Sequence, residues 1–259
     1  DDGVANRGQQ ISRTSKSDMQ RVKDHLINNY GYDPGSYTDY PGDESNRKLL
    51  ARIDWNINQA HRLSLRYNYT KNAAWNPTNG NSTDAGSRNR NMDRISEFGM
   101  EFSNSLYTMD NIINGFSLDL NSRFSNNISN QFLVTYTTIK DMRGSPSSPF
   151  PFIDILYGRD DEGVPIIEPY ISAGYELFTW NNGVNNNKFS ITDNLTLYSG
   201  SHKITAGLNY EYQMANNSYM RNGTGYYRYA SIDEFLNQAA PIDFALDYGY
   251  NGEQNPTAQ

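Results

Sequence analysis

Three histidines, His25, His61 and His202, and a scatter of carboxylates are the residues of this chain best able to move protons or hold a metal. None stands in the pattern such work needs. The chain has no G-x-S-x-G elbow, no H-E-x-x-H helix, no P-loop and no dinucleotide fingerprint. His61 and His202 each close a short turn and precede a basic residue and an alternating segment. That repeated position fits a structural role better than catalysis. A pair of carboxylates can cleave a glycosidic bond, yet nothing in the spacing of Asp54, Asp119 and their neighbours singles out a pair. Asp160-Asp161-Glu162 offers the clustered oxygens that calcium takes, although such a stretch is more often a solvated turn. With no cysteine at all, thiol catalysis, disulfide frameworks and cysteine-based zinc sites are excluded. The chain is therefore expected to have no catalytic residue, no bound metal and no cofactor, and not to be an enzyme.

Recognition is the chemistry that remains. Aromatic side chains fall in the irregular stretches at Trp75, Tyr170, Tyr175, Trp180, Tyr226, Tyr227 and Tyr229. Exposed ring faces beside Asn and Arg suit sugars or peptides. Trp75, Tyr170, Trp180, Tyr226 and Tyr227 are the candidate ligand contacts. The alternative for each is that the loops pack on one another. N-x-S/T triplets at Asn81, Asn194 and Asn222 arise readily by chance in a sequence this rich in Asn, Ser and Thr.

The elements that must position these residues are set by composition. A net charge of -7 provides no basic field for nucleic acid, so no such partner is expected. A mean hydropathy of -0.78 and the lack of any apolar run of about 18 residues exclude a helical membrane span. An aromatic content of 13% is too high for a disordered chain. No apolar leader segment is visible at Asp1-Asp2-Gly3, so the chain reads as a processed form or an internal piece.

Alternation with period 2 appears in three pairs of segments. In the first, Leu49, Ala51, Ile53, Trp55 and Ile57 share one face, and after Asn58-Gln59-Ala60-His61 the return segment sets Leu63, Leu65, Tyr67 and Tyr69 on its own apolar face. In the second, Phe116, Leu118 and Leu120 precede a turn at Asn126-Asn127, and Phe132, Val134, Tyr136 and Thr138 follow. The third has Phe189, Ile191, Leu195 and Leu197 before Ser199-Gly200-Ser201-His202, then Ile204, Ala206, Leu208, Tyr210 and Tyr212. Asp193 falls on the apolar face if the register is unbroken, so a bulge there is an option.

The short turns recur roughly every 70 residues, and the connections between the pairs are long: Lys71 to about Asn111, Asp141 to Asn187, and Met214 onward. Unstructured loops of that length are uncommon inside compact domains. Short turns at one end and long loops at the other, with alternating strands between, are the plan of a transmembrane β-barrel. The fold class expected is all-β: an antiparallel barrel segment of about six strands in three hairpins over residues 48–213, with extracellular loop segments at 1–47 and 214–259 that carry short helices. Trp55 beside a short turn, and Tyr67, Tyr69, Tyr210 and Tyr212 further along their strands, would form the membrane-interface girdle. Six strands cannot close such a barrel, so both sheet edges would be paired in a larger protein.

Two helices are expected in the loops. The first starts at Ser17 as N-cap with Gln20 three residues on, carries Met19, Val22, Lys23 and Leu26 on one side, and stops at Gly31. The second runs from Ser231 to Ala240, with Ser231 and Glu234 as a capping box and Pro241 after it. A small hairpin is expected from Ile153–Tyr157 and Val164–Ile167 around the acidic stretch.

Beyond this pattern, Ala51-Arg52-Ile53-Asp54-Trp55-Asn56-Ile57-Asn58 followed by His61-Arg62-Leu63-Ser64-Leu65-Arg66-Tyr67-Asn68-Tyr69 resembles the barrel of TonB-dependent outer-membrane transporters. The likeness is to the Oar-like branch, related to SusC-type importers. Leu120 to Asn127, Ile191 to Thr196, His202 to Leu208 and Tyr30 to Gly35 resemble the same group. The resemblance covers most of the chain from about Ser17 to Leu236. It implies a bacterial outer-membrane barrel of about 22 strands around a plug, driven by the TonB energy-coupling complex. It also implies outer-membrane lipid around the barrel, a surface lipoprotein as a possible partner, and a glycan, peptide or metal chelate as the imported nutrient. Neither a plug nor a TonB box is recognisable here, so both would lie elsewhere in the full protein. The alternative reading is a soluble all-β glycan-binding protein.

Overall fold

The computed structural model describes residues 3–9, 11–78 and 97–249. Its strands are β1 (Glu44–Asn56), β2 (His61–Asn76), β3 (Met100–Glu101), β4 (Tyr107–Arg123), β5 (Ile128–Gly144), β6 (Phe152–Arg159), β7 (Pro165–Ala173), β8 (Gly183–Ser199), β9 (His202–Ser218), β10 (Tyr226–Tyr229) and β11 (Asp243–Ala245). Two helices, α1 (Lys16–Tyr30) and α2 (Ile232–Leu236), accompany them.

The three hairpins form one antiparallel meander, β1-β2-β4-β5-β8-β9, in which every neighbour in space is the next long strand in sequence. Directly paired residues share a face. Ile53, Leu65, Leu118, Val134, Ile191 and Tyr210 therefore make one apolar row, and Ala51, Tyr67, Phe116, Tyr136, Phe189 and Tyr212 the next. On β9 the apolar face runs from Ile204 to Met214. At about 3.3 Å per residue and a tilt of about 40° that span covers roughly 25 Å, the height of an outer-membrane apolar band. Leu208 at 74%, Ile53 at 65% and Trp55 at 59% exposure show that nothing in the described chain covers this face.

Register is continuous through Asp193, so the bulge considered there does not form. Asp193 instead takes its place in the row of Trp55, Leu63, Leu120, Phe132 and Leu208, where Asn130 Nδ2 donates to its Oδ1 at 2.7 Å. An amide partner reduces the cost of a carboxylate on an apolar face. The sheet does not close: β1 and β9 are its two edges among the described residues.

The strands extend further than alternation shows. β4, β5, β8 and β9 have 17 residues each, and the sheet occupies 44–218 rather than 48–213. Past the apolar belt the alternation is lost: the apolar face turns mostly polar in the row Arg47, Lys71, Ile112, Lys140, Asn185 and Asn216, and the other face mixes Lys48 and Asn186 with Ile113 and Ile139. Backbone pairing continues there without a hydrophobic pattern to mark it.

The strand count is the larger correction. Beyond the six long strands, β11-β10-β6-β7-β3 form a second sheet built from the long connections. The small hairpin expected near residue 160 is its β6–β7 pair, with register shifts around Leu156. α1 lays Met19, Val22 and Leu26 on this sheet, in a core with Phe102, Ile153, Ile155, Ile171, Ala173 and Phe235. The connections thus fold into one cap with its own core.

Helix ends differ from expectation for local reasons. Ser15, not Ser17, caps α1: its Oγ accepts from the Asp18 N–H at 3.1 Å. Gly31 ends the helix in the left-handed region at φ 64° as expected. Ser231 caps α2 through the Glu234 N–H, but the helix stops at Leu236 rather than Ala240. Gln238 at φ 55° has already left helical geometry.

Candidate functional site

The two surfaces able to meet a solute are the polar face of the long sheet and the cap. On the polar face, strand alternation sets charged and hydroxyl side chains in rows. Arg52, Arg66, Ser117, Thr135, Ser190 and Glu211 form one, and Asp54, Ser64, Asp119, Leu133, Thr192 and Asn209 the next. The groups are tied to each other. Arg52 Nη2 lies 2.9 Å and Arg62 Nη2 3.6 Å from Asp54 Oδ1. Lys188 Nζ lies 2.8 Å from Glu211 Oε2. Thr135 and Ser190 hydroxyls share a hydrogen bond of 2.6 Å, and Asn209 Nδ2 donates to Thr192 Oγ1 at 2.7 Å. Near the short turns this face holds an open polar hollow of about 640 Å³ whose lining includes Arg62, Asn121, Gln131 and Thr205. Exposed pairs of this kind are screened by solvent and add little to stability. Their result is a hydrophilic wall.

In the cap, by contrast, two groups of charges are buried. Arg228 is 1% exposed, with Nη2 2.9 Å from Asp154 Oδ2 and Nη1 3.4 Å from Asp243 Oδ2. Tyr226 donates its hydroxyl to the same Asp154 oxygen at 2.9 Å. Burial alone would lower the Arg228 pKa, but Asp154, Tyr226 and Asp243 outweigh it and raise it. The cluster joins β6 to β10, a parallel pair that local sequence does not specify. Glu176, wholly buried, accepts from the Phe178 N–H at 2.9 Å and the Thr179 hydroxyl at 2.6 Å, and lies 3.5 Å from Arg143 Nη1 at the end of β5. The Glu176–Arg143 pair ties the cap to the sheet beneath it, where Arg143 also covers the Tyr107 ring of β4 at 4.3 Å. On α1, burial pushes the Asp18 carboxyl up, but hydrogen bonds from Tyr170, Ser15 and Arg21 bring it below its ordinary 3.8.

The candidate ligand contacts do not form one exposed platform. Tyr226 is 0% and Tyr170 8% exposed, which corrects the reading of both as open loop aromatics. Each faces the cap interior because its hydroxyl has a carboxylate to bond: Asp154 for Tyr226, and Asp18 at 2.7 Å for Tyr170. Trp75, Trp180 and Tyr227 are half-buried. Trp180 packs edge-on against Tyr175 at 5.7 Å, Tyr227 against Phe244 at 4.9 Å, and Trp75 sits near the outer end of β2 opposite Thr108. The aromatics with the greatest exposure in the cap region, Tyr248 at 71%, Phe244 at 57% and Tyr219 at 55%, were not among the candidates. They carry no periodic signal in sequence.

Trp55, Tyr67, Tyr69, Tyr210 and Tyr212 all lie on the apolar face of the long sheet. His61 turns its Nδ1 to Ser122 Oγ at 2.8 Å beside the first short turn. The acidic stretch is folded on itself: Asp160 Oδ1 accepts from the Glu162 and Val164 N–H groups at 3.0 and 2.8 Å. Among the described residues no cluster of three metal-binding side chains occurs. Asn81 lies outside the described residues.

Comparison with known proteins adds the family. The model of the outer membrane beta barrel domain matches residues 7–259. Among solved structures, the outer membrane transporter YddB from Escherichia coli is similar, with a TM-score of 0.45 and 12% identity over 71% of this chain and 21% of the transporter. The chain thus spans about a fifth of that transporter's length. No curated protein matches.

Proposed function

The chain belongs to the outer membrane beta barrel domain family and resides in the bacterial outer membrane, and from that premise we propose that it is a section of the barrel wall of a TonB-dependent importer. The observation that carries the reading is the division of labour between the two ends of the long sheet. Short turns lie at one end, and at the other the connections assemble into a folded cap with a buried ionic core. A passive porin wall needs no such cap, whereas a receptor that captures a solute uses its outer loops.

In this reading the apolar belt faces lipid, with Trp55, Tyr67, Tyr69, Tyr210 and Tyr212 in its aromatic girdles. The polar rows line a lumen occupied by a plug supplied elsewhere in the protein. Cap residues at the outer mouth, Trp75, Trp180 and Tyr227 among them, take part in capture of a glycan, peptide or chelate, with or without a surface lipoprotein. The segment recognises and passes its solute and performs no reaction on it. An outer-membrane family leaves no place for the soluble glycan-binding alternative.

The test is uptake of labelled candidate nutrients by cells that carry the full-length protein. Accumulation in the periplasm that stops when the TonB complex is deleted, with full-length protein retained on immobilised TonB periplasmic domain, is the expected result. Uptake that persists without TonB, together with open-pore conductance in planar bilayers, would overturn the proposal.

A further inference from the structure

We propose that Arg47, Lys71 and Lys140 form a docking patch for the phosphorylated headgroup of an outer-leaflet glycolipid. The inference rests on the reading of the apolar face as lipid-facing and of the cap end as extracellular. All three cations lie on that same face, in the single cross-strand row Arg47, Lys71, Ile112, Lys140, Asn185 and Asn216. On β1 and β2 the row stands one step beyond Leu49 and Tyr69, at the outer margin of the belt. This is the depth at which lipid headgroups begin.

The charge arrangement asks for an anion. Arg47 and Lys71 are direct cross-strand partners, and like charges so placed repel. Arg47 and Lys140 are exposed and Lys71 half-buried, and none of the three forms an ion pair among the described residues. Asp110, the nearest acid on this face, lies one row further from the belt. A bare cationic row in a chain of net charge -7 is not a by-product of a basic composition.

Its width selects the occupant. From β1 across β2 and β4 to β5 is roughly 14 Å at about 4.8 Å per strand, too far for one phosphate to bridge. A headgroup with two phosphates on a sugar frame spans it. The row continues into Asn185 and Asn216, whose side-chain oxygens are buried without a hydrogen-bond partner. Sugar hydroxyls would satisfy them.

The test uses the full-length protein in phosphatidylcholine nanodiscs, with binding of fluorescent bisphosphorylated lipid A followed by titration. Wild type is compared with the triple variant Arg47→Gln, Lys71→Gln, Lys140→Gln and with Lys203→Gln, a cation removed at the short-turn end. At about fivefold per cation, the triple variant is expected to bind on the order of a hundredfold more weakly, with Lys203→Gln unchanged. Lipid A stripped of its phosphates should bind wild type as weakly as the triple variant binds the parent lipid, and millimolar free inorganic phosphate should not compete. Equal binding by wild type and triple variant, or undiminished binding of the dephosphorylated lipid, would overturn the proposal. So would full competition by inorganic phosphate, which would make the row a site for the free ion. Each sample is also run with and without boiling. A boiling-dependent gel shift shows that the barrel is intact, so failure of the patch is distinguishable from failure of the barrel reading.

Discussion

Replacing Asp154 with Ala tests whether buried charge, and not loop entanglement, holds the cap together. The change removes the partner of a guanidinium that is 1% exposed and the acceptor of the Tyr226 hydroxyl. The ion pair left to Arg228 is with Asp243 at 3.4 Å, whose carboxylate is 32% exposed and a weaker partner. Breaking a buried ion pair from one side costs about 3–5 kcal/mol, and the Tyr226 hydroxyl loses the Asp154 acceptor as well. With Asp243 offsetting part of this, about 3 kcal/mol remains, a large share of the roughly 5–15 kcal/mol that holds a domain folded. Hydrogen exchange followed by mass spectrometry on the full-length protein in vesicles reads the effect by segment. Protection of β6 and β10 is expected to fall about a hundredfold, with β8 and β9 unchanged. The double variant Asp154→Leu, Arg228→Met should recover most of the loss, because no charge is left buried. A loss below about fivefold in β6 and β10, or an equal loss throughout the long sheet, would refute the reasoning.

Adjacent residues of β8 should respond unequally to the same substitution. Ile191→Arg, on the apolar face near mid-belt, should destabilise the folded barrel by about 2–4 kcal/mol in urea titrations from vesicles, and Thr192→Arg by less than about 1 kcal/mol. Equal costs would mean that the faces are misassigned. Gly174 has φ 98°, and a Cβ there would lie 2.1 Å from the Pro151 carbonyl oxygen, so Gly174→Ala should abolish cap protection in hydrogen exchange while the long sheet stays protected. A cap that tolerates alanine would contradict this close approach. Burial holds the His25 imidazole, edge-on to Phe235 at 5.0 Å, below its ordinary pKa of 6.5. A depressed pKa gives stability that is present above 6.5 and lost as pH falls through the folded value. Cap protection should therefore fall as pH drops below about 6.5, and His25→Phe should flatten the profile.

The long sheet was legible because one face must be apolar along every strand, and a period of 2 over Ile53, Leu65, Val134 and Ile191 admits no other register. Legibility stopped at the belt margin. Beyond Leu49 and Tyr69 the alternation is lost, so nothing in Arg47 or Lys71 announces that the strand continues. The cap was illegible for a different reason. Its core joins Met19, Phe102, the pair Ile155 and Ile171, and Phe235 from four separate stretches of the chain, and no one of them buries a face by itself. β6 begins with five successive buried residues, a run without alternation. Tyr170 and Tyr226 were read as ligand contacts because they lie between barrel strands. Their burial follows from long-range bonds to Asp18 and Asp154, which sequence spacing does not reveal.

The central claim is that one face of the long sheet meets lipid and the other an aqueous lumen. Single cysteines can be placed along β8 from Phe189 to Leu197, in a full-length protein freed of any other cysteine, and spin-labelled in lipid vesicles. Collision with oxygen should peak at 189, 191, 193, 195 and 197, and collision with a water-soluble nickel chelate at 190, 192, 194 and 196. A profile without that alternation, or with its phase reversed, would contradict the account.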